Sequence, residues 1–224
     1  MKTLCYYSLF IAFLINTLGC KYLDGLGKHE FYDEIKAFKE KDQLHTPPLH
    51  PILFIGSSSV RRWKSVEPVF KDYQVLNRGF GGAKLTDLHY YLNDVVFKYK
   101  PRQIILYAGD NDIAFDGVDA ETVFIRFKKI YEAIRQKMPD VPFIYMSIKP
   151  SPGRRQILPI QIKSNKLIKD YLQTQKDAQF VDIFPLMLDR TGNASPDIVI
   201  ADSIHLNQKG YLIWETAIRP YLLK

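Results

Sequence analysis

Cysteine is nearly missing. The 224-residue chain has two, Cys5 and Cys20, both within its first twenty residues. Residues 21–224 therefore contain neither a disulfide nor a cysteine-bound metal. Gly-x-x-x-x-Gly-Lys-Ser/Thr is absent, and no Gly-x-Gly-x-x-Gly follows the first predicted strand, which argues against two common phosphate-cradling loops. Internal repeats and low-complexity tracts are missing as well. Acidic residues are in deficit, 24 against 31 basic ones, for a formal charge of +7. The excess cations (Lys36, Lys39, Lys41, Lys128, Lys129, Arg135, Lys137) are scattered through helical stretches. That pattern fits a solvated surface better than a nucleic-acid footprint, so no nucleic-acid partner is expected.

What is present begins with Lys2 and an uncharged, mostly apolar run over residues 3–20. A lysine, an apolar core and small residues at the end describe an export signal. At this length the run can also just span a bilayer as an uncleaved anchor. Leu18-Gly19-Cys20 resembles the end of a bacterial lipoprotein signal, in which the cysteine is lipidated and becomes the new N-terminus, although Thr17 stands where an aliphatic residue is usual. The leading expectation is an exported protein of the cell envelope, attached to membrane by a lipid on Cys20. Plain secretion and an anchor helix are the alternatives. The expected organisation is a signal over residues 1–20, a helix and Pro-rich connector over 21–51, and one domain over 52–224.

The domain is organised around Ile52-Leu53-Phe54-Ile55, four apolar residues between Pro51 and Gly56 that read as a strand buried on both faces. Apolar spacing predicts a helix over residues 30–43 before it. After it come strands over 73–77, 103–107, 142–146 and 180–183, and helices over 85–98, 120–138, 158–175 and 209–222. Such alternation implies parallel strands joined by right-handed crossovers. The expected fold is an α/β three-layer α/β/α sandwich on a five-stranded parallel sheet.

Three of these strands end in loops rich in glycine and small polar residues: Gly56-Ser57-Ser58, Asn77-Arg78-Gly79-Phe80-Gly81-Gly82 and Gly109-Asp110-Asn111-Asp112. A doubly wound sheet sets such loops side by side at its carboxyl edge, where open α/β folds build their sites. The serines admit three readings: a helix cap, which suits Ser59; a phosphate cradle; or a nucleophile beside free backbone N–H groups. Among five histidines, His29, His45, His50 and His89 read as surface or packing residues. His205 differs, because Asp202 precedes it by three residues in a loop. That spacing lets the carboxylate reach one imidazole nitrogen and leaves the other free as a base.

Taken in order, Gly56-Ser57-Ser58, Gly82, Gly109-Asp110-Asn111-Asp112 and Asp202-Ser203-Ile204-His205 resemble the four blocks of the SGNH hydrolases, also called GDSL esterases/lipases. The resemblance spans about residues 50–222. The first block is usually Gly-Asp-Ser; here Ser57 replaces the aspartate and leaves a hydroxyl able to hydrogen-bond nearby. The resemblance implies the flavodoxin-like strand order 2-1-3-4-5. It also implies Ser58 as nucleophile, His205 as base and Asp202 as the group that holds the imidazole. The oxyanion hole would comprise the N–H groups of Ser58 and Gly82, with Gly81 as the alternative glycine, and the Asn111 amide. No metal or cofactor is expected. The implied activity is ester hydrolysis through an acyl-enzyme. Short edge loops, one of them carrying Lys149, Arg154 and Arg155, suggest a shallow, partly polar site for short acyl groups such as acetyl on a glycan or small alcohol. A lipase or lysophospholipase, a glycan-binding module and a flavin-binding module on the same scaffold are the competing readings.

Overall fold

A computed structural model describes residues 29–224. The expected signal over residues 1–20, with Cys20, lies outside the described residues. Helix α1 covers Tyr32–Leu44. Strand β1 follows at Ile52–Gly56, buried at every position. Two short helices, α2 at Ser58–Arg62 and α3 at Val66–Val69, lead to β2 at Val75–Gly79. Helices α4 (Leu85–Tyr90) and α5 (Leu92–Val95) connect to β3 at Gln103–Tyr107. Beyond β3 lie α6 at Asp110–Asp116, α7 at Ala120–Lys137 and β4 at Phe143–Met146. Helix α8 (Leu158–Leu172), β5 (Ala178–Val181) and α9 (Gln208–Ile218) complete the fold. All strand pairs are parallel and the order is β2-β1-β3-β4-β5, as the resemblance implied.

The three layers follow from alternation along each strand. Ile52 and Phe54 of β1, Ile105 and Tyr107 of β3, and Ile144 and Met146 of β4 share one face of the sheet with Trp63, Phe70 and the α9 residues Trp214 and Ile218. Phe143 and Tyr145 point the other way, against Phe127 of α7, at ring separations of 6.3 and 5.0 Å. A sheet covered on both sides needs apolar residues in both phases, hence the continuous apolar runs. Two helices have side-chain caps at their starts. Asp119 accepts from the Thr122 N–H at 2.8 Å for α7, and Asn207 from the Gly210 N–H at 3.1 Å for α9. Each such cap stabilises by about 1 kcal/mol.

Several expected elements differ in their bounds; the helices expected to reach 175 and 222 end at Leu172 and Ile218. The second strand starts at Val75 because Gln74 closes a 3-10 turn in the left-handed region, φ 50°. The fifth starts at Ala178 and ends at Val181, two residues early. The helix expected over 85–98 breaks at Tyr91. The break lets the adjacent pairs Tyr91–Leu92 and Val95–Val96 all reach the interior, which neighbours 100° apart on one straight helix do less readily.

Candidate active site

The serine loop is a consequence of crowding between β1 and β3. Gly56 has φ 150°, and a Cβ there would run into the Tyr107 carbonyl, so the strand can turn away only at a glycine. The Ser57 N–H then donates to that carbonyl at 3.2 Å, while the Ser57 carbonyl accepts from Val60 and Arg61 at 3.0 and 3.1 Å. Ser58 is the first helical residue of α2, so its N–H belongs to the turn that has no intrahelical acceptor. The capping expectation for Ser59 is overturned: the cap position is Ser57, it makes no side-chain cap bond, and Ser59 is buried one position inside the helix. The Ser57 hydroxyl, expected to find a nearby partner, is buried with none among the described residues.

His205 lies 147 positions away in sequence and is delivered by a tight turn. The Ile200 N–H donates to the His205 carbonyl at 2.8 Å, Ser203 N–H to the Ile200 carbonyl at 2.9 Å, and Ser203 adopts φ 61°. Within this turn Asp202 uses both oxygens. Oδ1 accepts from the N–H groups of Ile204 and His205, each at 2.9 Å, and Oδ2 sits 2.6 Å from His205 Nδ1. Burial pushes the Asp202 carboxyl up, but the imidazole and the two N–H donors outweigh it and bring its pKa down to about 2. An ionised carboxylate only accepts, so Nδ1 carries the proton and Nε2 is left bare. Nε2 is 2.9 Å from Ser58 Oγ and accepts its hydroxyl proton.

Two residues of α9, Tyr211 and Glu215, pin the serine helix and the turn that follows it. Tyr211 Oη donates to the Ser59 carbonyl at 2.9 Å, and Glu215 accepts from Trp63 Nε1 at 3.2 Å and Ser65 Oγ at 2.7 Å. The Tyr211 and Trp63 rings stack at 5.7 Å.

The glycine loop after β2 packs beside α2, with the Phe80 N–H donating to the Gly56 carbonyl at 3.0 Å. Gly81 spends its N–H on Glu34 of α1, at 3.1 and 3.3 Å from the two carboxylate oxygens. Of the two candidate glycines, Gly82 (φ 78°) is the one whose N–H is not claimed by that carboxylate. Asn111, buried on α6, donates from Nδ2 to the carbonyl of Ala83 at 3.1 Å, which places its amide against this loop. Its neighbours are structural. Asp112 Oδ2 accepts from the Leu85 N–H at 2.9 Å and so caps α4, and Oδ1 takes Arg126 at 2.7 Å. Asp110 Oδ2 takes Arg154 Nη1 at 2.8 Å. Ser58, His205 and Asp202 thus form one hydrogen-bonded chain, while Gly82 lies in the glycine loop after β2 and Asn111, at the start of α6, bonds to that loop's Ala83.

A model of the GDSL-like lipase/acylhydrolase family matches residues 55–213, most of the chain. The chain belongs to the SGNH hydrolases. No curated protein matches it. Solved structures of the same fold include a GDSL-like lipase from Bacteroides thetaiotaomicron, 21% identical with a TM-score of 0.70, covering 84% of this chain and 96% of that one. A family 3 carbohydrate esterase from Talaromyces cellulolyticus is 17% identical with a TM-score of 0.62, over 78% and 96% of the two chains. An acetyl-xylooligosaccharide esterase from Geobacillus is 14% identical with a TM-score of 0.62, over 80% and 96%.

This SGNH hydrolase corrects one expectation about its rim. Lys149 and Arg154 do not make the site polar; both are buried and bonded inward. Lys149 Nζ donates to Ser151 Oγ at 2.6 Å and to the Ile204 carbonyl at 2.7 Å. Its burial lowers the ammonium pKa to about 8, partly offset by Asp110 and Asp202.

Proposed function

We propose that the protein is a serine esterase that cleaves carboxylic esters through an acyl-enzyme, with short acyl groups, acetyl foremost, carried on a glycan or small alcohol. The observation that carries the first part is the chain Asp202 Oδ2–His205 Nδ1 at 2.6 Å and His205 Nε2–Ser58 Oγ at 2.9 Å. Ser58 Oγ attacks the ester carbonyl as Nε2 takes its proton, and Asp202 stabilises the imidazolium that results. The N–H groups of Ser58 and Gly82 and the Asn111 amide receive the charge that develops on the carbonyl oxygen. The imidazolium returns its proton to the departing alcohol, and water repeats the sequence to release the acid.

Acyl length is argued from the rim. A long chain needs a deep apolar cleft, commonly under a lid. Among the described residues the segment between β3 and α7 holds only the seven-residue α6, that between β4 and α8 a six-residue 3-10 stretch, and that between β5 and α9 two three-residue turns. Phe115, one turn beyond Asn111 on α6 and largely exposed, lies with its ring 5.4 Å from the Arg154 guanidinium. The acetyl and carbohydrate esterases among the solved structures of this fold support the same direction.

The deciding measurement is kcat/KM for p-nitrophenyl esters from acetate to palmitate, alongside acetylated oligosaccharides. Acetate is expected to be best, and Ser58→Ala to lower turnover by about 10⁴-fold or more with folding retained. A maximum at long acyl chains would make the protein a lipase, and an active Ser58→Ala would remove the nucleophile from this reading.

A further inference from the structure

Asn111 carries the only side-chain donor assigned to the oxyanion hole, and an amide can point either end at a substrate. Its orientation is fixed here by two unlike neighbours. Arg154 Nη2 donates to Asn111 Oδ1 at 2.9 Å, and Asn111 Nδ2 donates to the Ala83 carbonyl at 3.1 Å. Turning the amide over would set N–H against guanidinium and oxygen against carbonyl, two repulsive contacts in a buried place. With Oδ1 held by the cation and one Nδ2 hydrogen on Ala83, the second Nδ2 hydrogen is the one left for a ligand.

We infer that Arg154 is a positioning residue for the oxyanion donor, acting on catalysis through the amide of Asn111. The inference rests on the proposed function. Arg154 is itself held in place. It is buried, and its Nη1 donates to Asp110 Oδ2 at 2.8 Å, so one planar fork spans two consecutive residues of α6. Lysine, a single point charge, does not span both. The segment that carries Arg154 is tied to the base side as well. The Gly153 N–H donates to the Ser203 carbonyl at 2.9 Å, and Lys149 Nζ to the Ile204 carbonyl at 2.7 Å. At Gly153 a Cβ would lie 3.1 Å from Ile204 Cγ1 and 3.2 Å from the Ser203 carbonyl, so the segment lies close against the Asp202–His205 turn. One segment therefore sets the orientation of the oxyanion donor and braces the turn that supplies the base.

A double-mutant cycle on p-nitrophenyl acetate hydrolysis tests this. Arg154→Gln is expected to lower kcat roughly 10- to 100-fold with KM nearly unchanged, less than the loss of the donor itself. In an Asn111→Ala background the same substitution is expected to cost less than about twofold, because the amide it positions is gone. Arg154→Lys is expected to behave like Arg154→Gln. Equal fold-losses in both backgrounds, or full rescue by lysine, would overturn the inference and leave Arg154 a structural ion-pair partner. If Arg154→Gln does not fold because Asp110 is left buried and charged, the cycle is run with Arg154→Gln and Asp110→Asn together, under the same criterion. A wild type that hydrolyses no ester and leaves Ser58 unlabelled by a fluorophosphonate would overturn the proposed function and this inference with it. An active, labelled wild type with additive losses overturns only the role of Arg154.

Discussion

Asp202 spends its two oxygens on different jobs, and the division has a kinetic signature. Oδ1 ties the turn through two N–H groups, and Oδ2 holds the imidazole. With a pKa brought down to about 2, this carboxylate stays ionised at every ordinary assay pH. A pH–rate profile should therefore show no inflection from Asp202 between about pH 3 and 5. Asp202→Asn keeps the Oδ1 bonds but loses the charge behind the imidazole. It is expected to lower kcat about 10³- to 10⁴-fold across the assay range. An unchanged kcat in that variant, measured on a short-chain ester, would remove Asp202 from the chemistry. At this scale the candidate residues Ser58, Asn111, Asp202 and His205 are legible in the sequence, because chemistry restricts residue type and motif order. The place of Arg154 is not. A charged side chain reads as exposed by default, and its burial depends on Asp110, 44 residues away.

Elements are legible to the extent that local pattern decides them. The third strand shows both its ends in the sequence, since Gln103–Tyr107 is a mostly apolar run bounded by turns. The second is displaced from its expected start because Tyr73 looks like a strand residue but belongs to a 3-10 turn. Helix pairing across the molecule has no local signal at all. The union of α2 and α9, which brings Ser58 within 2.9 Å of His205, depends on Tyr211 and Trp63 meeting across the fold. Tyr211→Phe probes it, since the ring keeps its stack on Trp63 and only the bond to the Ser59 carbonyl is lost. A buried carbonyl left without its donor costs about 1–3 kcal/mol. The expected result is a stability loss of that size in urea unfolding, with kcat lowered several-fold. Loss of stability with an untouched kcat would mean that the joint supports the fold without setting the distance between serine and histidine.

At the scale of the whole molecule, the family match begins at residue 55, yet the domain leans on residues before it. Helix α1 presents Glu34, Phe38 and Asp42 at helical spacing to the end of β2 and its glycine loop. Glu34 takes Gly81 N–H, Phe38 lies 5.1 Å under the Arg78 guanidinium, and Asp42 pairs with Arg78 and, at 2.7 Å each, with Lys98 and Tyr99 Oη. The sequence shows α1 as an amphipathic helix but not this role, because Arg78 reads as a loop cation until β2 buries it. Arg78 is 2% exposed and Asp42 12%. Removing one partner from such a pair strands the other, at roughly 3–5 kcal/mol, whereas removing both costs much less. Asp42→Ala is therefore expected to lose about 3 kcal/mol or more in equilibrium unfolding, and Asp42→Ala with Arg78→Met clearly less. The pH dependence gives a second reading. Burial raises the Asp42 carboxyl, but the bonds from Lys98 and Tyr99 and the Arg78 charge outweigh it and hold it below the usual carboxylate range. A depressed carboxylate stabilises the fold at pH values above its unfolded pKa and loses that contribution as pH falls through its folded one. The gap between wild type and Asp42→Ala should accordingly be constant from about pH 8 to about 5 and shrink below about 4. A gap that is small at neutral pH, or that does not shrink in acid, would show α1 to be an appendage rather than part of the structure that holds the glycine loop.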